Sequence, residues 1–271
     1  MTVVVTLRSE LASATSALLN TVAALGDPDV AAPSRLPGWT RGHVLAHLAR
    51  NADGLVNLLT WARTGVRVPQ YGSAAARDAE IEAGADRTAA EHLADLQESA
   101  ARMDAVIENL PEEAWRAPVE GMRPPPHPAW YVLVRRIREL GMHHVDLGAG
   151  YGPADWSERF VRRELRDCLR TWPHDSSTVG GIRLLDVPDG GARDLPAVWR
   201  DLGEGPVVEG RPADMLAWLT GRSTGEGVRV VLLEGRSSAP GTADPQVPAA
   251  PPWLTMPAPA DLPATPPEDY P

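Results

Sequence analysis

The chain has 271 residues, enough to bury a sizeable core as one large domain or two modest ones, with 43% hydrophobic residues and a formal net charge of −10. All 26 basic residues are arginine, and so acidic a balance excludes an electrostatic footprint for nucleic acid or an anionic membrane. The single cysteine, Cys168, rules out an internal disulfide or a cysteine-built zinc finger, and without a secretory leader or a run of roughly 20 apolar residues the expected compartment is the cytoplasm.

Leu7, Leu11, Leu18, Leu19 and Val22 recur near helical spacing and predict a first helix over about residues 6–25, ended by Gly26-Asp27-Pro28. Thr40 is placed to cap a second helix that runs to Thr64 ahead of Gly65, with Val44, Leu45, Leu48, Leu55, Leu58 and Leu59 as its buried stripe. His43 and His47 lie four apart on that helix and share part of its inward surface. SAAARDAEIEAG predicts helix up to Gly84, and Thr88 with Glu91 forms a capping box for its continuation. Leu93, Leu96, Ala100, Met103 and Ile107 then step by three and four, giving a long third helix interrupted near Gly84. Pro124-Pro125-Pro126 marks residues 111–128 as a connection, after which Trp130, Val134, Ile137 and Leu140 mark a fourth helix stopped by Gly148. An antiparallel four-helix bundle is the simplest arrangement of these elements.

Residues 154–172 predict a fifth helix with Phe160, Cys168 and Leu169 inward, closed by Pro173. Short β-branched or apolar runs follow at 182–187, 198–202, 207–208 and 228–233, with a helix, ADMLAWL, opened by Arg211-Pro212. The fold class is therefore α followed by α+β: a helical bundle over residues 1–173, a small α+β domain over 174–236, and a Pro/Ala-rich tail over 237–271. The tail reads as irregular or disordered, except that Pro251-Pro252-Trp253-Leu254 could dock on the body.

In RRIRELGMHHVDLGAGY, Glu139 and His143 stack on one helix face and Asp146 joins it, while His144 points about a quarter-turn away. His47, Glu139 and His143 meet the inventory of a catalytic metal site: two imidazoles, one carboxylate and an open fourth position. A solvated Glu–His pair and a hydrogen-bonded core histidine, the commoner outcome, satisfy the same spacing. Arg77 and Arg222 lie near predicted element ends and read either as grips for a substrate carboxylate or as surface arginines. His92, His127 and His174 have no partner at a meaningful spacing and read as surface residues, and Cys168 reads as a buried small hydrophobe. No glycine-rich phosphate loop joins a strand to a helix.

LPGWTRGHVLAHLARNADGLVNLLTWARTG, SAAARDAEIEAG, RELGMHHVDLGAGY, LTGR and PPWL together resemble the mycothiol-dependent maleylpyruvate isomerases, over about Leu36–Trp253. The N-terminal domain of that family is a DinB-like metal-binding bundle. The resemblance implies zinc held by His47, Glu139 and His143, with His43 and His144 matching neighbouring positions that are not ligands. It also implies functional arginines at Arg77 and Arg222, the latter from the second domain, and hence a cleft between domains. Mycothiol is the implied thiol cofactor. The implied reaction is cis-trans isomerisation of a maleylpyruvate-type diacid to its fumaryl isomer in gentisate-type aromatic catabolism, through thiolate addition, bond rotation and elimination. A mycothiol S-transferase acting on other electrophiles and a non-catalytic metal-binding regulatory module are the alternatives, and the two arginines favour a dianionic substrate. The expected partners are thus a small-molecule diacid and a low-molecular-weight thiol, with neither nucleic acid nor membrane.

Overall fold

Apolar residues three and four apart dominate the first half of the chain, and the computed structural model, which describes residues 2–187, 195–231, 246–251, 257–268 and 270–271, is accordingly mostly helical with a small sheet region. α1 (Thr2–Ala23) buries Val3, Leu7, Leu11, Leu18 and Val22. A short α2 (Asp27–Ala31) forms where the sequence suggests only a helix stop. Pro28 presets a helical φ in its first turn, and the Gly26 N–H donates to Asp29 Oδ2 at 2.9 Å.

α3 (Arg41–Thr64) is capped by Thr40 and ends on Gly65, as its sequence signals indicate. The long third helix is two helices, α4 (Ala74–Ala85), capped by Ser73, and α5 (Ala89–Glu108), capped by Thr88 with Glu91. α6 (Tyr131–Asp146) runs unbroken through Gly141. α3 packs on α5 and α6, α1 packs on the same two helices, and α4 lies on α3. That last approach depends on Gly42, where a Cβ would collide with the Ala85 carbonyl. The Pro-rich connection before α6 contains β1 (Pro118–Val119) paired antiparallel with β2 (His127–Pro128).

Beyond residue 152 the helices are α7 (Glu158–Arg170) and α8 (Pro212–Leu219), which pack together. Four strands, β3 (Gly181–Leu184), β4 (Val198–Trp199), β5 (Val207–Gly210) and β6 (Val228–Val230), form a sheet in the order β4-β3-β5-β6. β3 and β5 are parallel, and each outer strand is antiparallel to its neighbour. The core of this part contains Trp172, Trp199, Leu216 and Trp218.

Contacts divide the chain into one unit of Met1–Gly152 with Ala258–Tyr270 and another of Pro153–Pro257 with Pro271. The division precedes α7, whereas the sequence reading carries the helical region to residue 173, because α7 lays its buried face on α8. The described tail is irregular but packed. Trp130 Nε1 donates to the Pro263 carbonyl at 3.0 Å and its ring meets Tyr270 edge-on at 4.9 Å, within the first unit. In the second unit Thr178 Oγ1 donates to the Ala249 carbonyl at 2.6 Å and Trp218 Nε1 to that of Pro248 at 3.3 Å. The expected docking residues Trp253 and Leu254 lie outside the described residues.

Candidate metal centre

Helical periodicity turns His47 on α3 toward α6, and on α6 it stacks Glu139 and His143 one turn apart on the facing side. The three side chains meet. His47 Nε2 lies 3.0 Å from Glu139 Oε2 and 3.1 Å from His143 Nε2, and His143 Nε2 lies 3.3 Å from Glu139 Oε2. Donor atoms bound tetrahedrally at ~2.0–2.1 Å stand ~3.3 Å apart, so this triangle has the dimensions of one face of such a site. Two imidazoles and one carboxylate also form a donor set suited to zinc and related divalent ions, so the residues fit a metal. His47 is only 4% exposed, while the Glu139 and His143 side chains are 26% and 18% exposed and leave one side open.

Burial, the largest influence on His47, pulls its pKa down to about 4, so the imidazole is neutral at pH 7 and can offer a lone pair. Burial opposes ionisation of Glu139, but hydrogen bonds with His143 and His47 outweigh it and hold the carboxyl well below the usual range. For His143 burial again works against the charge, and Asp146 and Glu139 reverse the sign and raise its pKa. Asp146, itself buried, sets Oδ2 2.8 Å from His143 Nδ1. An imidazole that donates Nδ1–H to that carboxylate presents the Nε2 lone pair to the triangle, the tautomer a metal requires.

Arg77, near the start of α4, reaches the same cluster. Its Nη2 donates to His47 Nδ1 at 3.1 Å, its Nη1 pairs with Asp78 at 2.7 Å, and its guanidinium lies 5.9 Å from the centre of the Tyr71 ring. Arg77, Tyr71, Gln70, Asn57 and Glu80 help to line a cavity of about 260 Å³. Burial raises the Tyr71 pKa, and the Glu139 charge raises it further, so the phenol keeps its proton. Arg222 belongs to the second unit, where its N–H donates to the Ala217 carbonyl at 2.7 Å beyond α8 and its Nη1 to that of Thr220 at 2.6 Å.

The other histidines separate cleanly from the triangle. His43 bridges its own helix cap, with Nδ1 2.7 Å from Thr40 Oγ1 and Nε2 3.2 Å from Glu82. His144 stacks on Tyr151 at 3.7 Å and places Nε2 2.8 Å from Thr21 Oγ1. His174 is exposed, as its lack of partners suggests. His92 and His127 are not surface residues: they are 0% and 2% exposed. His92 sits where α3, α4 and α5 meet, its Nε2 3.4 Å from the Ala85 carbonyl, and His127 is enclosed between β2 and α6. His92 lies four residues before Leu96 on the buried stripe of α5, so helical spacing carries a signal for its burial, whereas His127, in the connection before α6, has no such trace. Cys168 is buried. Tyr71 and Asp146 complete the cluster, and of the two only Asp146, at i+3 from His143, has a spacing signal.

Among the described residues no helix is long and apolar enough to cross a membrane. The sequence profile of the mycothiol maleylpyruvate isomerase N-terminal domain matches residues 11–148. Two solved structures, one of a mycothiol-dependent maleylpyruvate isomerase and one of a histidine-to-alanine mutant of that enzyme, each match with 28% identity and a TM-score of 0.74. Each alignment covers 90% of this chain and 96% of the other. No curated protein sequence matches.

Proposed function

The chain belongs to the family of the mycothiol maleylpyruvate isomerase N-terminal domain, and on that premise we propose that it catalyses zinc- and mycothiol-dependent isomerisation of maleylpyruvate to fumarylpyruvate, in gentisate-type aromatic catabolism in the cytoplasm. The observation that carries the reading is the His47–Glu139–His143 triangle, whose edges of 3.0, 3.1 and 3.3 Å suit one divalent ion with an open coordination position. In this reading α1, α3, α5 and α6 are the DinB-like antiparallel four-helix bundle, and Arg222 is a substrate-binding residue.

The double bond of a maleyl diacid is conjugated to carbonyl groups and does not rotate until a nucleophile adds to it. Cys168 is buried, and the family supplies mycothiol as the external thiol that would serve as the nucleophile, adding to the double bond, permitting rotation and leaving again. Bound zinc supplies the positive charge that makes a thiol ionise near neutral pH. The protein's own part is to preset the donors. Neutral His47 and the carboxylate of Glu139 offer lone pairs, and Asp146 fixes the His143 ring. Were His47 to hold a metal through Nε2, its ring proton would sit on Nδ1, opposite Arg77 Nη2, and the guanidinium would be free for a substrate carboxylate. Arg77 and Arg222 hold the ends of the diacid and stabilise the enolate that forms on addition.

The test is an assay of the zinc-loaded protein with mycothiol and maleylpyruvate, with fumarylpyruvate as the expected product. Conjugation of a chlorinated electrophile without turnover of maleylpyruvate identifies a mycothiol S-transferase instead. Inactivity toward both identifies a regulatory metal-binding module.

A further inference from the structure

Three arginines lie on α6, and two of them serve the fold. Arg136 Nη1 donates to the Leu48 carbonyl at 2.7 Å and to Asn51 Oδ1 at 2.8 Å on α3, and Arg138 Nη2 donates to the Tyr131 hydroxyl at 3.1 Å. Arg135 differs in its surroundings. It precedes Glu139 by four residues and His143 by eight, so the three stack on one face at intervals of ~6 Å along the helix. Together with Gly141 they are the α6 positions that are not fully buried. Among the described residues its guanidinium makes one hydrogen bond, from Nη1 to His127 Nε2 at 3.2 Å, and no carboxylate pairs with it.

That partner is neutral. His127 Nδ1 lies 3.1 Å from the Pro128 carbonyl and donates to it, which leaves the Nε2 lone pair for Arg135. Burial first, and then the Arg135 charge, holds the His127 pKa at about 3, so the imidazole stays an acceptor. On the other side lies Gly121, where a Cβ would collide with Arg135 Nη1 and stand 2.8 Å from Gln70 Oε1. Gln70 and its neighbour Tyr71 line the same cavity as Arg77. Burial also lowers the Arg135 pKa, although the Glu139 charge works against it. Burying a charge without a counter-ion is costly, and here one histidine and one glycine form a seat for it beside the three converging donors. A planar fork with most of its N–H groups uncommitted suits a carboxylate.

We propose that Arg135 joins Arg77 in holding one carboxylate of the substrate at the metal centre, with His127 as the positioning residue that aims its guanidinium. The identity of the anion rests on the isomerase reading; the anion site does not. The test titrates zinc-loaded, full-length protein calorimetrically with maleate in the absence of thiol, with crotonate as the matching monocarboxylate. Arg135→Gln keeps its zinc by elemental analysis, weakens maleate about tenfold and abolishes the preference for maleate over crotonate. Arg135→Lys, which keeps the charge but not the fork, falls between the two, and His127→Gln gives a smaller loss of maleate affinity with zinc retained. Equal maleate affinity in the wild type and Arg135→Gln overturns the proposal. Loss of zinc from both Arg135 variants also overturns it, because Arg135 then supports the metal site and not an anion. Arg135-dependent maleate binding in a protein that leaves maleylpyruvate unchanged sustains the anion site and removes the isomerase.

Discussion

On α6, Glu139 lies 3.0 and 3.3 Å from two imidazoles, one of them contributed by α3, on a face that remains partly open. On α7, Arg163, Glu164 and Asp167 are all 0% exposed, and Arg163 Nε finds the carboxylate of its sequence neighbour Glu164 at 3.9 Å. Both helices place charge in the interior. The α7 charges face the protein on every side, whereas at α6 two groups of that helix and His47 of α3, remote in the chain, converge on one point and leave an approach to it. A buried charge in itself therefore says little about function; convergence with an open side is the informative pattern.

Breaking the convergence gives the largest expected effect. His47→Ala or Glu139→Ala loses bound metal and lowers turnover about a thousandfold, more than the ~10–100-fold typical of outer partners of a metal ligand. Elemental analysis and steady-state kinetics check this, and stoichiometric zinc in either variant contradicts the assignment. The corresponding change on α7 does the opposite: Glu164→Ala lowers the unfolding free energy by about 3 kcal/mol in a denaturant titration and leaves metal content unchanged. Metal loss there would erase the distinction between the two helices.

A titration sharpens the contrast further. His127 beside α6 has a folded pKa of about 3 against an ordinary value of 6.5, so as pH falls the unfolded chain takes up the proton first. Its contribution to stability is therefore complete above pH 6.5, is lost as pH falls toward 3, and is reduced by ~2 kcal/mol at pH 5. His127→Gln should flatten the stability profile between pH 7 and 5 relative to the wild type, and parallel profiles would place the acid sensitivity elsewhere. The smallest effect belongs to the second unit's arginine. Arg222→Ala keeps its metal but raises KM or lowers kcat about tenfold, or ~1.4 kcal/mol. Unchanged kinetics would remove it from the substrate.

The donors were legible because they obey a local rule. Glu139 and His143 sit at i,i+4 on an amphipathic helix, His47 lies on the buried stripe of another, and the Thr40 and Thr88 caps mark where those helices begin. Arg135 obeys the same spacing, yet three arginines in RRIRELG look alike in one dimension. Only the partners of Arg136 and Arg138 single it out. His127 looks like a surface residue because a lone histidine in a connection has no period, whereas His92 shares the stripe of Leu96, Met103 and Ile107; α7 looks continuous with the preceding helices because its packing on α8 joins positions about fifty residues apart.

By itself the sequence determined the helical first half, the strand-bearing second part, the family resemblance and three candidate ligand positions, since periodicity, capping and turn chemistry act within a few residues. Tertiary structure alone decided that those side chains close to 3.0–3.3 Å, that His127 is buried, where α7 belongs, and that among the described residues Arg135 has only a neutral partner. Those outcomes depend on distances between elements remote in the chain, and a spacing rule along one helix contains no term for what another helix brings to it.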